Sequence, residues 1–451
     1  MVKAISKRKH LLYTGIDFKM ETKLERISQL SKENPNMEFT SIYHLINREL
    51  LIECHKSIDG NKAVGIDKVT KAEYETNLEE NIECLVDRLK RKAYKPKPAR
   101  RVMIPKDNGK MRPLNVYCYE DKIVQEAVRR LLESIYEPLF YDEMMGFRPN
   151  RGCHDALKKL NVMIEQRYTN YILDADIKGF FDHLNHEWIM KFIKSKIKDP
   201  NFCRLISRML KSGVMENFEY QDTEEGSGQG SLCSPIIANI YMHYVLIWWY
   251  KEKMQPYIEG FSGMVVYADD FVMCFQHKKD AERFCEHLNH RMNYFGLELE
   301  NDKTRLIPFG KLYWKRNKEL GTKTETFTFL GFTHYCSNNK NGNFRVKRKT
   351  SRKKFAKKCK EINKTIRELR PYPIKQIIRR INQILIGYYH YYGITDNYDG
   401  INRFYHVVRK RLFHWLNRRS QRNSYNWDGF VELLKQYPLV TPKIYVNIYD
   451  N

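Results

Sequence analysis

Three aspartates lie in two short segments whose other residues are typical of buried β-strands. Asp176 ends one apolar run, and Asp269 and Asp270 interrupt a second run that extends over 263–275. Burying a carboxylate in such surroundings is costly unless it is paired or bound to a cation. Carboxylates that converge from neighbouring strands repel one another, and two Mg²⁺ ions, which prefer oxygen ligands, would relieve that repulsion. Such ions can activate a 3′-hydroxyl and stabilise a departing pyrophosphate.

The elements that must position these acids are a strand and a hairpin. A strand is predicted over 171–177, and the runs 263–267 and 271–275 predict a tight hairpin with Asp269 and Asp270 at its tip. Taken alone, the hairpin sequence is equally compatible with an ordinary turn. Its assignment to a metal site therefore depends on the other motifs of the chain.

Further elements follow from the hydrophobic pattern. A second hairpin is predicted with strands at 101–105 and 111–116 and a turn at 106–109. Helices are predicted over much of 38–95 and over 120–140, 153–167, 186–213 and 278–295, with short strands around 304–310 and 326–336. Half of the residues from 345 to 370 are Lys or Arg, and helical patterning resumes from there to about residue 420.

Composition restricts the class of partner. The 451 residues carry 79 Lys and Arg against 54 Asp and Glu, a net charge of +25. Such a surplus favours a polyanion over a merely basic surface. No apolar run of about 18 residues is present, and the basic N-terminus is not followed by a signal-peptide core, so neither a membrane partner nor secretion is expected. The ten cysteines form no CxxC pair, which argues against a zinc ribbon and favours reduced thiols.

Eight motifs in a fixed order resemble those of reverse transcriptases, most closely those encoded by group II introns. Each motif is weak by itself, whereas the ordered series is specific. The segments are 61–67, 104–113, 146–149, 175–182, 228–239, 267–270, 302–305 and 329–332. The resemblance covers roughly residues 40 to 435.

The resemblance implies an α+β fold of the right-hand polymerase type, with fingers, an antiparallel palm sheet with helices, and a helical thumb. The implied ranges are a basic N-terminal arm (1–37), an N-terminal extension with fingers (38–170), a palm (171–340) and a thumb or maturase domain with a short tail (341–451). Because the chain ends at Asn451, the optional DNA-binding and endonuclease regions of the family are not expected.

The same resemblance assigns the catalytic site. Asp176, Asp269 and Asp270, with the backbone carbonyl of Ile177, would hold two Mg²⁺ ions, for which Mn²⁺ can substitute. Residues implied in deoxynucleotide binding are Lys106, Arg112, Gly179, Phe180, Phe181, Gln229 and Lys303. Without the resemblance, the two cations at the hairpin suit a triphosphate but equally an exposed charged turn.

Individual roles follow from chemistry and resemblance together. Backbone amides of Gly179 and Phe180 could bind phosphate oxygens, and Phe181 would exclude a 2′-hydroxyl, although core packing also explains an aromatic there. Gln229 would contact the sugar or the template. Pro is usual before this glutamine, and this chain has Gly228, so a more flexible loop and altered fidelity or nucleotide affinity are expected. Lys303 would lie near the phosphates and assist pyrophosphate departure.

The basic C-terminal part resembles the thumb that binds the template–primer duplex and intron RNA. The predicted nucleic-acid contacts are Arg148, Arg345, Lys347, Arg348, Lys353, Lys357, Arg379 and Arg418. The implied partners are an RNA template, a DNA or RNA primer, dNTPs and group II intron RNA, and a homodimer is left open. The implied location is the bacterial cytoplasm, with association to the nucleoid also left open.

Three functions remain in view. The first is a reverse transcriptase that also assists intron splicing as a maturase. The second is a related enzyme adapted to phage defence, DNA repair or CRISPR adaptation, which the motifs alone do not distinguish from the first. The third is a non-catalytic RNA-binding splicing factor, which the presence of all three acids disfavours.

Overall fold

Two compact units are each assembled from separated stretches of the chain. Unit 1 comprises Met1–Pro149, Ile177–Pro256 and Leu288–Leu299, and unit 2 comprises Asn150–Asp176, Tyr257–His287 and Glu300–Asn451. The computed structural model describes residues 15–105, 111–216, 219–221, 225, 226, 228, 230–300, 302–419 and 424–450. This division follows the contacts within the chain and not function. The predicted ranges for the arm, fingers, palm and thumb therefore stay predictions.

Unit 1 is mainly helical and has one small sheet. Its helices are α1 (Gly15–Glu33), α2 (Arg48–Ser57), α3 (Lys71–Thr76), α4 (Leu78–Lys90), α5 (Tyr119–Tyr136), α7 (His186–Lys194), α8 (Pro200–Leu210) and α9 (Ser234–Met242). Its strands are β1 (Ala99–Pro105), β2 (Met111–Val116), β4 (Val214–Glu216) and β5 (Glu219–Gln221), in the order β2-β1-β4-β5. The predicted hairpin is the antiparallel β1–β2 pair, and its turn, including Lys106, lies outside the described residues.

The core of unit 1 is built around α5. Ile123, Val124, Ala127 and Leu131 recur at helical spacing and are fully buried. The helix also buries Asp121, which accepts hydrogen bonds from the Tyr94 hydroxyl and from a backbone amide of the chain before β1. Through Asp121, α5 therefore holds the chain that leads into the β1–β2 hairpin, in addition to forming the core.

Unit 2 contains two antiparallel sheets. Its strands are β3 (Tyr171–Asp176), β6 (Ser262–Tyr267), β7 (Asp270–Phe275), β8 (Arg305–Pro308), β9 (Phe327–Phe329), β10 (Phe332–Asn338) and β11 (Phe344–Thr350). The first sheet has the order β6-β7-β3-β8 and the second the order β11-β10-β9. Its helices are α6 (Cys153–Gln166), α11 (Lys311–Glu319), α12 (Arg352–Leu369), α13 (Ile374–Tyr392), α14 (Tyr398–Leu416) and α15 (Trp427–Gln436), while α10 (Lys278–Tyr294) has residues in both units.

The basic stretch after residue 344 begins as a strand rather than a helix. Residue 340 lies in the turn between β10 and β11, and in β11 the side chains of Val346, Arg348 and Thr350 are buried while the intervening lysines are not. This period of two is the burial pattern of a strand with one face on the core. Helical structure starts only with α12. The α+β class is confirmed, and no described helix is both long enough and apolar enough to span a bilayer.

Candidate functional site

The three aspartates meet at one end of the β6-β7-β3-β8 sheet. β3 pairs antiparallel with β7, and this register places Asp176 directly opposite Asp270. Asp269 precedes Asp270 at the tip of the β6–β7 hairpin, where Ala268 adopts a positive φ of 59°. A non-glycine residue in that region is uncommon and indicates that the tight turn constrains the tip. The sheet register thus brings together acids that lie more than ninety residues apart in the chain.

Crowded carboxylates change the electrostatics of this end of the sheet. Asp270 has surface exposed to solvent, but neighbouring atoms displace water from its carboxyl group. This partial burial is the main cause that raises the pKa of Asp270 to about 6. Repulsion by Asp269, Asp176 and Asp174 adds to the rise. Burial likewise raises the pKa of Asp174 to about 6, against the opposing charge of Arg305. A cation placed here would lower the energy of the ionised carboxylates.

Lys303 supplies one positive charge to the acids. Its ammonium group forms an ion pair with Asp176 and lies 4.0 Å from the carboxylate of Glu300. The bond to Asp176 is the main cause that raises the pKa of Lys303. Lys303 therefore lies beside one of the predicted metal ligands.

The carboxylate oxygens of the three aspartates are ligands that suit a hard divalent cation, but they do not surround a single metal position. Among the residues that the structure describes, no three His, Cys, Asp or Glu side chains are close enough to hold a metal ion as they stand. The acids do offer only oxygen donors, the ligand type that Mg²⁺ prefers, and their mutual repulsion adds to the raised pKa of Asp270. In ligand type the residues therefore fit a hard divalent cation, for which they would supply part of the coordination shell.

A cavity of about 780 Å³ in unit 2 opens beside the acids. The hairpin tip forms one part of its wall, and α12 and α13 contribute lysines and tyrosines. Its lining includes Asp269, Asp270, Gly331, Lys354, Lys357, Lys358, Tyr388, Tyr391 and Tyr392. Of these lysines and tyrosines, sequence reasoning singled out only Lys357 as a nucleic-acid contact, because the others show no signal beyond helical spacing.

The predicted nucleotide-binding turn lies in unit 1. Gly179 has a φ of 56°, which a glycine adopts without strain, and Phe180 behind it is buried. Phe181 is half-buried and makes edge-to-face contacts with Phe180 and Phe147, with ring centroids 5.4 and 6.3 Å apart. Phe181 lines a cavity of about 210 Å³. This position agrees with a side chain that limits the size of a bound group.

Two residues that sequence reasoning missed line the same cavity. Asn115 and Tyr117 lie at the end of β2 and just beyond it, and both are largely buried. They were overlooked because a return strand after a hairpin looks purely structural in sequence. Arg112, earlier in β2, is exposed, and Gln229 lies outside the described residues.

The predicted nucleic-acid contacts divide into exposed and buried groups. Lys353, Lys357 and Arg379 are exposed on helices of unit 2, Arg418 is exposed in the turn after α14, and Lys347 is partly exposed. Arg345 lies 3.6 Å over the ring of Tyr449. These positions remain compatible with a nucleic-acid surface.

Two of the predicted contacts are corrected, because they face the protein interior. Arg148 is 7% exposed, forms an ion pair with Glu137 at 2.8 Å and donates to the carbonyl of Tyr141 at 2.7 Å. Arg348 is completely buried and donates to the side chain of Asn161 and the carbonyl of Val346. Both guanidinium groups are thus structural and present no surface to a nucleic acid.

Replacing Arg348 with alanine should lower the free energy of unfolding by about 2–4 kcal/mol, because the change leaves a cavity and removes the partner of Asn161. Chemical denaturation would measure the loss. Lys349→Ala is the matched control on the same strand, since Lys349 is exposed, and should cost less than about 1 kcal/mol. If Arg348→Ala left the stability unchanged but weakened RNA binding, the prediction that Arg348 contacts nucleic acid would be correct after all.

Comparison with known proteins places these features in a family context. Residues 104–334 match the family described as "Reverse transcriptase (RNA-dependent DNA polymerase)". Residues 352–429 match the "Group II intron, maturase-specific domain". The first match contains the three aspartates, Lys303 and the residues that line the 210 Å³ cavity except Arg101, and the second contains helices α12 to α14.

Individual relatives share about half of the chain. The group II intron-encoded protein LtrA of Lactococcus lactis subsp. cremoris is 40% identical over 49% of this chain and 37% of its own length. An uncharacterized 91 kDa protein in the cob intron of Schizosaccharomyces pombe is 34% identical over 49% of this chain and 28% of its own. Protein YkfC of Escherichia coli is 30% identical over 48% and 59%. The aligned stretch thus spans less than two thirds of each relative.

Proposed function

Because this chain belongs to the reverse transcriptase family, we propose that it is an RNA-directed DNA polymerase of the group II intron type. The observation that carries this proposal is the register of β3 with β7, which sets Asp176 against Asp270 beside Asp269 within the matched region. The family implies dependence on a divalent metal. The match to the maturase-specific domain further supports RNA binding, and we propose intron RNA as a second partner.

We propose that Asp176, Asp269, Asp270 and the carbonyl of Ile177 hold two Mg²⁺ ions, with Mn²⁺ as a substitute. When bound, such ions supply charge neutralisation and orient the reacting oxygens of phosphoryl transfer. The protein contributes fixed oxygen donors on paired strands. Lys303, now paired with Asp176, would exchange that carboxylate for a phosphate oxygen and stabilise the leaving pyrophosphate.

The incoming deoxynucleotide is the proposed occupant of the cavity that Phe181 lines. The ring of Phe181 would exclude a 2′-hydroxyl, and the backbone amides of Gly179 and Phe180 would donate hydrogen bonds to phosphate oxygens. The cations Arg112 and Lys106 are proposed to bind the triphosphate, with a bidentate fork from the arginine. Gln229 is proposed to contact the sugar or the template.

Primer extension with purified protein tests the function. An RNA template, an annealed DNA primer, four dNTPs and Mg²⁺ should yield full-length DNA that survives alkaline hydrolysis of the RNA. A preparation that binds the template–primer duplex but adds no nucleotide would contradict the polymerase proposal. Splicing of intron RNA with and without the protein tests the maturase role separately.

The 780 Å³ cavity is proposed to receive the template–primer duplex. Replacing both Lys354 and Lys357 with alanine should weaken duplex binding and reduce the slope of log K against log salt by about one unit per lysine that contacts a phosphate. Fluorescence anisotropy at several salt concentrations would measure this. Lys364→Ala provides a control on the same helix, since Lys364, like Lys357, is paired with a glutamate but does not line the cavity. An unchanged slope in the double variant would place the duplex elsewhere.

A further inference from the structure

Gly228 and Tyr117 meet in the wall of the 210 Å³ cavity that Phe181 also lines. The carbonyl of Gly228 accepts hydrogen bonds from the backbone amide of Ser231 at 3.0 Å and from the hydroxyl of Ser234 at 3.1 Å. These bonds tie Gly228 to the start of α9. The backbone of Gly228 therefore has a defined place in the cavity wall.

Space, rather than backbone conformation, is what requires glycine at this position. Gly226 and Gly230 have φ values of 89° and 115°, in the region that favours glycine, whereas Gly228 is not among the residues with positive φ. A Cβ atom added to Gly228 would overlap the hydroxyl oxygen of Tyr117 and lie 2.8 Å from Nδ2 of Asn115. The hydroxyl group of Tyr117 thus occupies the space that a side chain at residue 228 would need.

Tyr117 cannot easily move away from Gly228. It is 5% exposed and packs with Ala99 and Val214 in a small buried cluster. The amide of Asn115 donates a hydrogen bond to its hydroxyl, and burial raises the pKa of Tyr117 above its usual range, so the hydroxyl stays protonated. The ring is held by apolar contacts and the hydroxyl by an amide, which fixes the polar end of the side chain at the cavity wall.

We propose that Tyr117 is a positioning residue of the nucleotide site. Its hydroxyl fills the space that a side chain at residue 228 would need, and so it sets how closely the backbone at Gly228 approaches the cavity. Tyr117 and Asn115 form a polar part of the cavity wall. Phe181, which is proposed to exclude a 2′-hydroxyl, lines the same cavity. This inference rests on the proposed function in one respect, namely that a deoxynucleotide occupies the cavity.

A double-mutant cycle on Gly228 and Tyr117 tests the pairing. Gly228→Ala should raise the KM for dNTPs about tenfold with a smaller change in kcat, because the added methyl group displaces the wall while the metal-binding acids are untouched. Tyr117→Phe should change KM by less than about threefold. In the double variant the overlap with the Tyr117 hydroxyl is gone, and the ring carbon Cζ would lie 3.3 Å from the new methyl group. The contact of 2.8 Å with Nδ2 of Asn115 remains, but this amide no longer has the hydroxyl to bond and can turn away, so KM should return towards that of Tyr117→Phe.

Melting temperatures provide a readout that does not need activity. Gly228→Ala should lower the melting temperature by about 3 °C or more through overpacking, and adding Tyr117→Phe should restore it. Gly60→Ala is the control, because a methyl group at this exposed position would meet only the flexible side chain of Lys71 at 3.3 Å. The pairing is refuted if Gly228→Ala is neutral, or if the two changes are additive in both readouts. Rescue of melting temperature in a protein without primer extension would instead uphold the steric pairing and refute the proposed function.

Discussion

Asp269→Asn is expected to reduce primer extension about a thousandfold, which corresponds to about 4 kcal/mol of lost transition-state stabilisation. Asparagine has nearly the same shape as aspartate but lacks the negative charge, so a metal loses an anionic ligand while the hairpin tip keeps its packing. Template–primer affinity should stay within about twofold, because the Lys354 and Lys357 side chains of the cavity are unchanged. Single-turnover extension and duplex binding would be measured on the same preparation.

Stability serves as the internal control for this variant. Asp269 repels Asp270 and contributes to its raised pKa, so the neutral asparagine should leave thermal stability unchanged or increase it. Glu319→Gln on α11 removes one negative charge from an exposed position outside the acid cluster and should extend primers normally. Wild-type extension by Asp269→Asn would remove this acid from the catalytic set, whereas a drop in melting temperature would attribute the loss to misfolding.

Phe181→Val is expected to lower the preference for deoxynucleotides over ribonucleotides by about ten- to a hundredfold, because the smaller side chain leaves room for a 2′-hydroxyl. Phe181 is half-buried against Phe147 and Phe180, so the cavity widens while the buried Phe180 still supports the turn. The ratio of kcat/KM for dCTP to that for CTP is the quantity to measure.

Phe181→Tyr is the matched variant, since it keeps the aromatic ring and should keep the preference for dCTP. An unchanged ratio in Phe181→Val, in an enzyme that still uses dCTP well, would show that the ring is only part of the core. A loss of activity with both nucleotides would indicate that the turn at Gly179 has moved, and the melting temperature would reveal this.

Local patterns in the sequence were sufficient for the elements that carry the acids. The strand that ends at Asp176 and the β6–β7 hairpin were both predicted, because alternating or continuous apolar runs bounded by turn residues specify strands locally. The ordered motifs added the family, which the match over residues 104–334 confirms. The specific roles of individual site residues stay predictions until variants are measured.

Burial of particular cations could not be predicted in this way. Arg348 stands in a run of exposed-looking basic residues, yet it is buried against Asn161, a residue 187 positions earlier in the chain. The period of two in β11 determines that alternate residues face inward, but only the packing of β11 against α6 determines that an arginine is accommodated there. Arg148 lies outside the helices and strands, and its burial depends on Glu137 and on two backbone carbonyls, which no local pattern indicates.

The sequence by itself determined the family and the fold class and proposed the three acids as candidates, because these depend on residue types within short segments and on the order of those segments along the chain. Tertiary structure alone decided which side chains share a wall or a cavity. It placed Asp176 opposite Asp270 through strand register, and it placed Tyr117 in the space beside Gly228. Both relations join residues far apart in the chain, and their physical basis is close packing, in which the volume left by one side chain must be filled by another.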